Sequence, residues 1–137
     1  MGVILDSSLI IAAERAGQTV RQILTDVRAA QGEIDIGLSV VTVAELFHGA
    51  YRANSETRQQ QRLEFIAELR RDVPLYEVTF AVVRLVGKIG GQQAAKGVRI
   101  PFEDLLIGAT ALDLGFAVVT RNVRHFRLIP DLLVVQL

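Results

Sequence analysis

Short apolar runs alternate along this chain with longer stretches whose apolar residues recur at helical spacing. Val3-Ile4-Leu5, Ile34 with Ile36 and Leu38, Leu75 to Val78, Phe116 to Thr120 and Leu132 to Val135 read as strands. Between them, Val20, Ile23, Leu24 and Val27 keep the i, i+3, i+4, i+7 stripe of an amphipathic helix. Leu63, Ile66 and Leu69 do the same, as do Val82, Leu85, Val86 and Ile89. Strands separated by helices predict an α/β fold, a parallel sheet covered by helices.

The punctuation agrees with that order. Ser7 or Ser8 is predicted to cap the first helix, which Gly17 stops. Ile34, Ile36 and Leu38 alternate with Asp35 and Gly37, the pattern of a half-buried strand. Ser39 starts a helix through Val43 and Phe47 to about Ala53. The next helix spans about Arg58 to Arg71, and Pro74 ends it. Thr79 caps a helix whose centre is weakened by Gly87, Gly90 and Gly91, and Gly97 marks its end. Pro101 opens an apolar helix from about Phe102 to Leu114, and Gly115 closes it. A helical turn is expected over Val123 to Phe126.

Length and composition narrow the class. A chain of 137 residues predicts one domain, residues 1–137, with room for a substantial core. The formal net charge of +0 gives no bulk attraction to nucleic acid, so any such affinity rests on local patches. The absence of cysteine excludes disulfides and thiolate chemistry and suits a reducing, cytoplasmic setting; two histidines exclude a His-rich metal site. No apolar stretch approaches the ~20 residues of a membrane span, and no secretory signal is visible, so no membrane association is expected. Half of the residues are hydrophobic, with mean hydropathy +0.35. That excess predicts a dimer or a bound partner.

The chemistry points to carboxylates. Asp6 closes the first strand, where open α/β sheets place their ligand crevice. Two hydroxyls follow it and are available to cap the helix, which frees Asp6 for another task. Glu45 lies in an apolar helix, predicted buried and so in need of a partner or a cation. Asp104, in the first turn of its helix, is expected to face inward over Gly108, Ala109 and Ala111, and Glu103 outward. Asn122 follows the strand ending in Thr120. Acids gathered without basic partners repel unless a cation neutralises them, so the cluster reads as a divalent-metal site, and the chain as a metal-dependent nuclease. Arg121 and Arg124 stand at the same predicted edge and suit bidentate phosphate contacts. His125 is given a minor role at most. No P-loop, nucleophile elbow or metalloprotease motif occurs.

Four segments carry a family resemblance: Val3 to Ser8, Ser39 to Gly49, Ile100 to Ala111, and Val119 to Asn122. In that order they resemble PIN-domain ribonucleases, and the compact length is similar to the VapC toxins of toxin-antitoxin pairs. The resemblance implies a three-layer α/β/α fold with a parallel sheet of about five strands. It makes Asp6, Glu45 and Asp104 the metal-binding acids and places the Ser8 and Thr120 hydroxyls near the site; Asn122, read from its place after the strand as orienting a metal-bound water, is the fourth catalytic candidate. The family often has a further acid where Asn122 stands, so a single Mg²⁺ or Mn²⁺ is expected. It also implies an RNA substrate, tRNA among the candidates, a homodimer and a cognate VapB-type antitoxin. The rival reading is a non-catalytic PIN-like module that binds RNA or protein.

Overall fold

The structure, a computed structural model, describes residues 1–137. Strand β1 (Gly2–Leu5) leads into α1 (Ser7–Arg15) and α2 (Val20–Gln31), then β2 (Asp35–Ser39), α3 (Val40–Tyr51), α4 (Glu56–Asp72) and β3 (Leu75–Tyr76). The second half runs α5 (Phe80–Ala95), α6 (Phe102–Leu114), β4 (Ala117–Thr120), α7 (Val123–Phe126) and β5 (Val134–Gln136). All five strands are parallel, in the order β3-β2-β1-β4-β5. The chain steps outward from β1 in one direction, then crosses back to lay β4 on its other side. The carboxyl ends of β1 and β4 therefore flank the switch point at which such sheets open a crevice.

Alternation of side chains along the strands builds the two cores. Val3, Leu5, Ile36, Leu38 and Val119 point into one, packed against α1, α2 and α4 through Ile10, Val20, Val27, Ile66 and Leu69. Ile4 and Val118 point the other way, against Val82, Val86 and Ile89 of α5, Ile107 of α6, and Phe126. The result is the expected helix–sheet–helix sandwich.

Several local expectations are corrected. The cap of α1 is Asp6 itself, whose side chain accepts from the Ser8 amide, and not Ser7 or Ser8. β2 is buried on both faces over Ile36–Ser39. Gly37 reads as a polar-side position, but the Tyr76 ring lies where its side chain would be, so glycine there permits close packing. β3 is two residues long because only Leu75 and Tyr76 find partners, on Leu38 and Ser39. Gly87, Gly90 and Gly91 do not break α5, and a Cβ at Gly90 would come within 3.1 Å of Leu105, so that position draws α5 onto α6. The outer face of α3 is not buried: Phe47 and Tyr51 are exposed and stack on each other, ring centroids 6.4 Å apart. Elsewhere the caps fall where expected, with Thr79 accepting from Val82 and Gly115 in the left-handed conformation after α6. No helix is long and apolar enough to cross a membrane.

Candidate active site

Asp6 stands at the carboxyl end of β1, only 4% exposed, its amide donating to Val119 O across the β1–β4 boundary. All of its side-chain hydrogen bonds reach Oδ2: Ser8 Oγ at 2.7 Å, Thr120 Oγ1 at 2.8 Å, and the Ser8 amide at 3.4 Å. The two hydroxyls are themselves fixed, because Arg121 N donates to Ser8 Oγ at 3.2 Å and Asn122 N donates to Thr120 Oγ1 at 2.9 Å. Each hydroxyl thus accepts from the backbone and gives its one hydrogen to the carboxylate. Oδ1 of Asp6 remains outside this network.

Glu45 comes from α3, one turn after Thr42. Ser7 Oγ donates to its Oε2 at 3.2 Å, while Oε1 is buried without a partner. Thr42 Oγ1 is the other such orphan. Burial, and then the charge of Asp6, raise the Glu45 pKa to about 7; the Ser7 hydroxyl opposes this, and Asp104 and Glu103 add to the rise. Asp104, in the first turn of α6, is half-buried and also shifted upward, chiefly by desolvation, with the His125 hydrogen bond pulling it back and the charge of Asp6 pushing it up. His125 Nδ1 lies 2.8 Å from Asp104 Oδ2. Glu103 is exposed, as expected for the outward member of the pair.

Asp6, Glu45 and Asp104 therefore share one electrostatic neighbourhood. As the side chains stand, no three acids or histidines surround a common point at which an ion would bind all of them. The donor set nonetheless fits a hard divalent cation: it is all oxygen, one buried carboxylate oxygen is orphaned, and the charge of Asp6 raises the proton affinity of both Glu45 and Asp104. Mg²⁺ in particular keeps several waters and needs only one or two carboxylates from the protein.

The remaining sequence candidates fall around this centre. Ser8 and Thr120 are engaged with Asp6. Asn122 is exposed at the start of α7, with no side-chain hydrogen bond to the helix it precedes. Arg124 is exposed on α7, and the Arg121 side chain borders a groove formed with Leu9, Ala13, Ile23 and Leu137, on the α1–α2 side. Two contributors lie outside the set that the sequence predicts. Ser7 reads there only as a candidate cap. His125 reads only as a residue of minor role, although its place on the turn directly after the Thr120 strand is the available signal.

A parallel sheet in this order with acids at its carboxyl edge defines the class. The chain belongs to the PIN domain family, whose model matches residues 3–132. Two relatives within it are the ribonuclease VapC1 of Rickettsia felis, 30% identical over 96% of this chain and 93% of that one, and the ribonuclease VapC of Rickettsia bellii, 31% identical with the same coverage. Among solved structures it is similar to VapBC-1 from nontypeable Haemophilus influenzae, with TM-score 0.80, 26% identity, and 98% and 96% of the two chains covered. It also shares the fold of VapBC2 from Rickettsia felis bound to a promoter DNA fragment, with TM-score 0.82, 20% identity, and 100% and 99% covered.

Proposed function

We propose that this chain, as a single PIN domain over residues 1–137, is a metal-dependent endoribonuclease and the toxin of a VapBC-type toxin-antitoxin pair. The observation that carries the reading is Glu45: a half-buried carboxylate with one buried, unpartnered oxygen, whose pKa is lifted to about 7 by desolvation and by Asp6 and Asp104 beside it. A group of that proton affinity, in a site built of oxygen donors, suits removal of a proton from water near neutral pH.

Asp6 and Asp104 would hold a Mg²⁺ or Mn²⁺ ion, with Glu45 as a third ligand or a partner through water. Such a cation supplies charge neutralisation at the attacked phosphate and makes a nucleophile available at neutral pH. Ser8 and Thr120 fix the Asp6 carboxylate, Glu45 takes the proton from the attacking water, and Asn122 orients that water. Arg121 and Arg124 steer the RNA backbone. Structured RNA, tRNA included, is the substrate class, and the cytoplasm the expected compartment.

A VapB-type antitoxin would lie in the groove between α1, α3 and α4, where Ile11, Leu46, Phe65 and Ile66 offer apolar contacts next to Glu45. The exposed Phe47–Tyr51 stack supports a homodimer.

The test is cleavage of structured RNA by the purified chain with Mg²⁺ or Mn²⁺. Activity should disappear with a chelator, return with the ion, and be absent in Asp6→Asn and Asp104→Ala that remain folded by circular dichroism. Cleavage that persists in either variant would remove that acid from the site, and RNA binding without cleavage under every condition would favour a binding module.

A further inference from the structure

We infer that His125 is a positioning residue for the carboxylate of Asp104, fixing the orientation in which that acid meets its cation. This rests on the metal-site reading above. An ionised carboxylate can only accept, so with Asp104 charged the hydrogen of the 2.8 Å contact is on Nδ1, in either the neutral Nδ1–H tautomer or the imidazolium. The bond ties down Oδ2 and leaves Oδ1 as the oxygen without a protein partner.

The backbone that carries the imidazole is held in place by its neighbours. It lies on α7, and the next residue, Phe126, is 1% exposed in the core formed with α5 and α6. The turn that follows is pinned twice. Ile129 fills the space over Gly108 of α6 that any side chain at Gly108 would need. Gln93 Nε2 of α5 donates to Leu128 O at 2.8 Å. Ile129 thus seats α7 on the helix that carries Asp104, so packing fixes the backbone positions from which the two side chains meet at 2.8 Å. The contact joins residues 21 positions apart, which no local turn would produce by itself.

A carboxylate oriented in advance loses less rotational freedom when it binds an ion. Hydrogen-bond partners of metal ligands are typically worth about 10–100-fold in metal affinity. His125 touches neither the substrate nor the reacting atoms in this scheme; its effect passes through Asp104.

The decisive experiment titrates Mn²⁺ alone into the full chain by calorimetry, comparing wild type, His125→Phe, His125→Asn and Asp104→Asn, with urea midpoints confirming that each is folded. His125→Phe keeps the ring and removes the donor; it should bind Mn²⁺ about 10–100-fold more weakly. His125→Asn places an amide nitrogen as many bonds from Cα as Nδ1, and it should recover most of the loss. His125→Leu replaces the Phe variant should that one misfold. A folded His125→Phe with wild-type affinity, or an Asn variant as weak as Phe, would overturn the inference while leaving the site intact. Asp104→Asn binding Mn²⁺ like wild type would instead overturn the site reading itself.

Discussion

Thr120 Oγ1 donates to Asp6 Oδ2 at 2.8 Å across 114 positions of sequence, and neither residue is more than 4% exposed. A buried carboxylate with a committed donor is expensive to disturb. Thr120→Val keeps the shape but removes both the donor to Asp6 and the acceptor of the Asn122 amide, so it should lower stability by at least about 1.5–3 kcal/mol, the usual worth of a hydrogen bond to a charged group. Urea denaturation measures the loss, and an unchanged midpoint would show that water replaces the hydroxyl at no cost.

Glu45 makes the stability of the metal-free chain depend on pH. Its pKa is about 7 in the folded state against an ordinary 4.5, so between those values the folded chain holds more protons than the unfolded one. Stability should therefore fall as pH rises from about 4.5 to about 7 and stay low above that. The upward shift of Asp104 acts in the same sense. Denaturation midpoints at pH 5 and pH 8 should differ in the wild type and differ less in Glu45→Gln. Mn²⁺ at pH 8 should raise the wild-type midpoint, and an identical pH slope in the Gln variant would refute the assignment.

Gly108 is sized for Ile129. A methyl at that position meets the isoleucine side chain, so Gly108→Ala should cost about 1–3 kcal/mol through overpacking. It should also reduce RNA cleavage, because the displaced segment carries His125. Full stability and activity in Gly108→Ala would mean that the turn after α7 shifts freely.

Phe47 and Tyr51 are the stacked aromatic pair on the outer face of α3. If that face joins two copies, Phe47→Glu with Tyr51→Glu should convert the dimer to a monomer in light scattering while helix content stays unchanged. A wild-type chain that is monomeric across micromolar concentrations would contradict this.

Most of the framework is legible in the sequence because it is written in local patterns. The β1 run, the Val20 stripe, the Thr79 cap and the Pro101-to-Gly115 helix all fall within a residue or two of where periodicity and capping place them. What local pattern does not encode is partnership. Whether Leu75–Val78 is a long strand or a two-residue one depends on how far β2 runs beside it. Gly37 alternates like a solvent position until a tyrosine from the neighbouring strand covers it. Within the site, Asp104 was expected to turn inward and Glu103 outward from helix geometry, and they do. That Asp6 would both cap a helix and be gripped by Thr120, and that His125 would reach back to Asp104, follow only from the order in which the strands are laid side by side.

The grip on Asp6 joins a residue near the amino end to one laid down more than a hundred positions later. A nascent chain that has not yet reached Thr120 has the first acids but lacks the hydroxyl that secures Asp6 and the strand that walls the crevice. Catalytic competence would thus arrive late in translation, once the strand that ends in Thr120 lies beside β1.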